Sequence, residues 1–126
     1  MARILAIEDD VTFLGLLRVH LSGAGHTVEI AEDAALGLRA IVSNPPDLVI
    51  LDLNVPYLDS FELLEAVRAD PMTRTLPVVV ITGNTDDESY MRATKIGVSG
   101  YLTKPVAHGD LIKAVQEGLK ARKPGR

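Results

Sequence analysis

Cysteine is absent from the chain. That excludes disulfides, thiolate metal sites and a cysteine nucleophile. No apolar run approaches the ~20 residues needed to cross a bilayer, and the longest runs are strand-sized. The N-terminus, MARILAIEDD, sets acids where a secretion signal needs its apolar core. Export is therefore not expected, and a soluble cytoplasmic protein is. A basic excess is missing too. With 13 Lys and Arg against 17 Asp and Glu, the formal charge of −4 argues against a nucleic-acid surface. The local exception is the end of the chain, where residues 120–126 hold four basic residues and no acid; residues 122–126 read as a solvated basic tail after a single domain over residues 1–121. No repeat, low-complexity segment or internal linker interrupts that domain.

What the sequence does contain is a globular balance, 47% apolar and 24% charged over 126 residues, enough for one self-sufficient core. Short apolar runs alternate with stretches of helical period. Residues 4–7 form a first strand, stopped by Glu8, Asp9 and Asp10; residues 11–22 follow as a helix ended by glycines. Residues 26–31 suit a second strand, and residues 33–42 a helix with Asp33 near its start and Asn44-Pro45-Pro46 beyond its end. A third strand, 48–51, runs into Asp52. Ser60 is expected to cap the next helix, which reaches Asp70 and stops at Pro71. Residues 77–81 are the most β-branched run and lead to Thr82-Gly83; residues 86–96 form a helix with three acids in its first turn. Residues 100–103 and 110–120 supply the last strand and helix.

Five strands, each followed by a helix and apolar throughout, predict an α/β domain with a parallel sheet covered on both faces. Ligands of such sheets bind beyond the carboxyl ends of the strands. There stand Glu8 and Asp9 after strand one, Asp52 after three, Thr82 after four and Lys104 after five. A lone acid after a strand is ordinarily a cap or a turn former. Placed jointly at four strand ends, these residues bring three carboxylates, a hydroxyl and an ammonium to one crevice. Clustered carboxylates repel unless a cation is present, and hard oxygen ligands suit Mg²⁺.

These motifs resemble those of response-regulator receiver domains, the CheY-like superfamily of two-component signalling. The resemblance covers about residues 3–119. It rests on Glu8-Asp9, Asp52-Leu53-Asn54-Val55-Pro56, Thr82-Gly83 and Tyr101-Leu102-Thr103-Lys104-Pro105. It implies a single doubly wound (βα)5 flavodoxin-like fold with strand order 2-1-3-4-5. It further implies that Asp52 accepts a phosphoryl group from a histidine kinase or a phosphotransfer protein, in a Mg²⁺-dependent reaction. Asp9, Asp52 and the backbone carbonyl of Asn54 would then hold Mg²⁺, with Glu8 acting through a bound water. Thr82 would bond a phosphoryl oxygen, Lys104 would pair with Asp52 or the phosphate, Tyr101 would turn inward on activation, and the Lys104-Pro105 peptide would be cis. Such a domain is not an enzyme apart from promoting its own phosphorylation and dephosphorylation. Its output would be a protein target or a phosphorylation-dependent homodimer on the face of helix 4, strand 5 and helix 5, including Met91, Arg92, Lys95 and Lys113. No partnership with nucleic acid or membrane is expected of the domain itself. With no output domain after Leu119, the signal is expected to pass through protein contacts or a separated partner.

The chemistry accounts for each residue type. An aspartate attacking a phosphohistidine brings two negative groups together, and cations at the site offset that repulsion. A phosphate then adds ~1.5–2 negative charges and three acceptor oxygens for a short hydroxyl to follow. Some positions depart from the family's pattern: Ser60 stands where glycine is frequent and Val106 where an aromatic is, while Asn54 and Asn84 are uncharged amides beside the acceptor and Thr82. His20, His26 and His108 have no ligand spacing. Two other classes fit less well. A haloacid-dehalogenase-like phosphatase needs an acid two residues after its nucleophile, where Asn54 cannot act. A flavodoxin-like nucleotide or flavin binder needs a glycine- or hydroxyl-rich loop where Glu8 and Asp9 stand.

Overall fold

Parallel pairing joins all five apolar runs: β1 (Arg3–Ile7), β2 (Thr27–Ala31), β3 (Leu48–Leu51), β4 (Val78–Thr82) and β5 (Gly100–Thr103), in the order β2-β1-β3-β4-β5. The computed structural model describes residues 1–121; the basic tail at 122–126 lies outside the described residues. The helices are α1 (Val11–Gly23), α2 (Ala34–Ser43), α3 (Ser60–Ala69), α4 (Asp87–Ile96) and α5 (His108–Ala121). Because successive strand residues point to opposite faces, one apolar run feeds two cores. Leu5, Ile7, Val49, Leu51, Val78 and Val80 pack with Ile41 of α2 and with Leu63, Leu64 and Val67 of α3. Ile4, Ala6, Leu48, Ile50, Val79 and Ile81 pack with Leu14, Leu17 and Leu21 of α1 and with Leu111 and Val115 of α5. Each fully buried leucine or isoleucine contributes about 1.5–3 kcal/mol relative to exposure.

Acidic side chains start four of the helices. Asp10 accepts from the amides of Thr12 and Phe13, Asp33 from Leu36, Asp59 from Phe61 and Asp86 from Ser89. An aspartate oxygen satisfies one of the otherwise unpaired first-turn N–H groups. Two expectations change in consequence. Asp59, not Ser60, caps α3, and the buried Ser60 hydroxyl instead donates to the backbone carbonyl of Asp52 at 3.0 Å. Asp86 precedes α4 as its cap, so the first turn holds two acids, Asp87 and Glu88. Helix α5 begins at His108, two residues before the expected start, and Thr82 closes β4 from within the strand.

Candidate functional site

Register alone brings the site together. Ile7 pairs with Leu51, and the amide of Asp52 donates to the Ile7 carbonyl at 3.1 Å, so Glu8 and Asp52 leave the sheet side by side. Thr82 pairs with Thr103, and the amide of Lys104 donates to the Thr82 carbonyl at 2.9 Å. Strand order does the rest. Between β1 and β3 the chain switches from building one side of the sheet to building the other, the place where doubly wound sheets open a crevice.

Glu8, Asp9 and Asp52 each offer a carboxylate oxygen, and these oxygens lie within 4.8 Å of one another. Asp9 is exposed, whereas Glu8 and Asp52 are buried. Lys104 answers the two buried charges: its Nζ donates to Glu8 Oε1 at 2.6 Å and to Asp52 Oδ2 at 3.0 Å. The second oxygen of Glu8 accepts from the amides of Asp9 and Asp10, and the second oxygen of Asp52 from the amide of Asn54. Burial pushes the Glu8 carboxyl up, against the downward pull of Lys104 and the Asp10 amide. Burial disfavours the Lys104 cation as well, but its bonds to Glu8 and Asp52 outweigh that and hold its pKa above the ordinary lysine value. Lys104 is thus kept charged. Its ammonium also sits 4.5 Å from the centroid of the Phe13 ring, whose face attracts a cation. The peptide joining Lys104 to Pro105 is cis.

Thr82 is fully buried at the end of β4. Its Oγ1 accepts from the amide of Asn84 at 3.2 Å and, at 3.5 Å, from the side-chain amide of Asn54. With its lone pairs so engaged, the hydroxyl proton is the part left to donate. Tyr101 of β5 donates through its hydroxyl to the Asn84 carbonyl at 3.4 Å and packs edge-on against Tyr90 of α4, centroids 5.1 Å apart. One loop, 83–86, therefore connects the Thr82 hydroxyl to the Tyr101 ring. Burial, followed by the charge of Asp86, raises the Tyr101 phenol above its ordinary value and keeps it a donor.

Glu8, Asp9, Asp52, Asn54, Thr82 and Lys104 thus share one crevice, with Tyr101 one loop away. Sequence reasoning did not anticipate four contributors. Ser60 pins the Asp52 carbonyl, Phe13 backs Lys104, Asp10 leaves the acidic run to cap α1, and Tyr57 turns the β3–α3 loop with a left-handed φ of 69°. The spacing of Asp10 to the helical stripe carried a cap signal; the other three depend on tertiary placement. Two members expected on the face of α4, β5 and α5 need correction. Arg92 stacks over the Phe61 ring of α3 at 4.3 Å, and Arg92 and Lys95 both line the groove between α3 and α4. Tyr90 borders Tyr101 instead, because it lies on the β5 side of the helix.

The family model described as the response regulator receiver domain matches residues 4–116. An uncharacterised 14.6 kDa protein of Leptolyngbya boryana is 36% identical over 96% of this chain and 92% of its own length. The transcriptional regulatory protein KdpE of Mycobacterium tuberculosis is 32% identical over 95% of this chain, which spans only 52% of that regulator. A CheY-like receiver domain protein from Methanospirillum hungatei superposes with a TM-score of 0.89 at 29% identity, covering 97% of this chain and 96% of its own. The receiver domain of a histidine kinase from Syntrophus aciditrophicus gives 0.89 at 27% identity, covering 100% and 96%. Receiver domains bind Mg²⁺ at an acidic pocket, and the oxygen-only cluster of Glu8, Asp9 and Asp52 has the chemistry for it. On fold, site and relatives together, the chain belongs to the response regulator receiver domains of two-component signalling.

Proposed function

We propose that this domain receives a phosphoryl group on Asp52 and relays the event through Thr82 and Tyr101 to the surface of α4, β5 and α5. The observation that carries the reading is the Lys104 ammonium held between Glu8 and Asp52 at the carboxyl ends of β1, β3 and β5. One oxygen of Asp52 attacks the phosphorus of a phosphohistidine on a kinase or phosphotransfer protein. The P–N bond breaks, its electron pair stays with the imidazole, and an acyl phosphate forms. Asp9, Asp52 and the Asn54 carbonyl are the groups that would hold Mg²⁺, with Glu8 acting through water; when bound, the ion offsets the charge gathered on the acids and the phosphoryl oxygens. Lys104 is already charged and already directed at Asp52. Phe13 and Ser60 fix the lysine and the acceptor backbone in place. The domain promotes its own phosphorylation and dephosphorylation and turns over no other substrate.

The relay rests on contacts that share one loop. As the Thr82 hydroxyl moves to donate to a phosphoryl oxygen, it carries with it the amide of Asn84 that it now accepts from. The Asn84 carbonyl in turn carries the bond from Tyr101. Tyr90, half exposed, packs on Tyr101, and the exposed Met91 follows it on α4; they give that face an apolar centre, with Lys113 on α5 at its margin. A reversible contact with a protein target or a second copy of the domain suits a surface of this modest size and mixed charge. Reduction of the phosphorylated chain with borohydride tests the acceptor. The acyl phosphate should yield homoserine at position 52 in peptide mass spectra, and homoserine at another aspartate would refute the assignment.

A further inference from the structure

His20 lies in the last turn of α1 and His108 opens α5, 88 positions later in the chain. Their Nδ1 atoms face each other at 2.6 Å, with ring centroids 4.5 Å apart and ring planes tilted by 48°. A neutral imidazole offers one N–H and one lone pair, so this contact holds when one ring donates and the other accepts. When the donating ring shifts its proton to Nε2, both Nδ1 lone pairs converge on a point that a cation could occupy. We propose that His20 and His108 form a two-imidazole site for a borderline divalent ion such as Zn²⁺. Tetrahedral zinc with Zn–N bonds of about 2.0–2.1 Å holds two nitrogens about 3.3 Å apart, so the rings need to part by only about 0.7 Å. His108 is exposed and His20 half-buried, which leaves water access to the remaining coordination positions.

Ligand type separates this site from the acidic one. Glu8, Asp9 and Asp52 present oxygen alone and suit Mg²⁺, whereas imidazole nitrogen favours zinc, copper and nickel. The site also has a mechanical consequence. Helix α1 begins directly after the acids of β1, and His108 stands four residues after Lys104. An ion shared by the two histidines cross-links the helix that follows the acids to the segment that carries the lysine. The proposal stands apart from phosphorylation and needs no phosphoryl donor in its test.

The test is a Zn²⁺ titration of the ¹⁵N-labelled full chain in saturating Mg²⁺, which occupies the acidic cluster, followed by long-range ¹H–¹⁵N spectra of the imidazole rings. The Nδ1 signals of His20 and His108 should move together to the metal-bound range by one equivalent, with His26 unmoved. His20→Ala should weaken zinc binding at His108 about 100-fold, the loss expected when a second ligand held in place is removed, and His20→Gln should do the same if the alanine variant folds poorly. Zinc should also raise the thermal midpoint of the wild type and not that of His20→Gln. Independent movement of the two histidines, movement of His26 alongside them, or an unchanged affinity in both variants would overturn the site.

Discussion

Lys104 Nζ lies 3.0 Å from Asp52 Oδ2, although 52 positions separate the two residues, and the same ammonium lies 2.6 Å from Glu8 Oε1. One cation is therefore divided between the acid assigned to react and an acid beside it. Lys104→Ala leaves two buried carboxylates facing each other. Removing one partner of a buried pair costs about 3–5 kcal/mol, and the lower end applies because the lysine side chain keeps 21% of its exposure. Mg²⁺ should restore part of that loss. Urea unfolding of wild type and variant, each with and without Mg²⁺, measures both effects; equal stability of the two proteins without the ion would contradict the pairing.

Thr82→Ala separates the chemistry from the response. The hydroxyl neither attacks nor belongs to the groups that would hold Mg²⁺, so phosphorylation by acetyl phosphate should persist, about 100- to 1,000-fold slower at most for the loss of one oxygen-stabilising donor. The conformational signal should fail. With beryllofluoride and Mg²⁺ as a phosphoryl mimic, amide shifts in the wild type should extend to Tyr90, Met91 and Tyr101, and in Thr82→Ala they should stay at the pocket. Shifts centred on α1 and α2 in the wild type would move the output surface elsewhere.

Ser60→Ala should act through position rather than chemistry. The hydroxyl is buried and donates to the Asp52 carbonyl, so its removal costs about 0.5–1.5 kcal/mol, the net worth of one hydrogen bond. A lowered urea midpoint, with phosphorylation slowed but still confined to one site, is the expected result. A midpoint equal to the wild type would deny the hydroxyl a holding role.

His26 gives the chain a dependence on pH. Its Nδ1 accepts from the amide of Ala2, which only the ring without a proton at that nitrogen can do. Burial, and then the positive amino terminus, lower its pKa below the ordinary 6.5. A histidine held below its unfolded value binds fewer protons folded than unfolded, so stability rises with pH across that window. The contribution is complete above about 6.5 and is lost as pH falls through the folded value. Thermal midpoints between neutral and mildly acidic pH should fall more for the wild type than for His26→Gln, and a ring titration at or above 6.5 would refute the account.

The fold was legible because the central strands hold continuous apolar runs, at 4–7, 48–51 and 78–81, and four of the helices begin at an aspartate. Such runs belong to a sheet buried on both faces, and the two cores that split Leu5 and Ile7 from Ile4 and Ala6 account for them. The acids, hydroxyl and lysine were legible for a related reason: each directly follows or ends a strand, and parallel register then fixes which of them meet. Ser60 was misread because a serine after an aspartate offers two candidate caps, and the turn geometry gave the task to Asp59. Phe13, Arg92 and the pairing of His20 with His108 were not legible at all. Their roles come from which way a side chain turns between packed helices, and periodicity along one helix does not carry that information.

Intact-mass spectrometry of wild type and Asp52→Asn, each incubated with acetyl phosphate, tests the central assignment most directly. The wild type should gain the mass of one phosphoryl group with Mg²⁺ and none after its removal by EDTA. Asp52→Asn should gain none under either condition, since an amide at that position is no nucleophile for phosphorus. Equal phosphorylation of the two proteins would contradict the account.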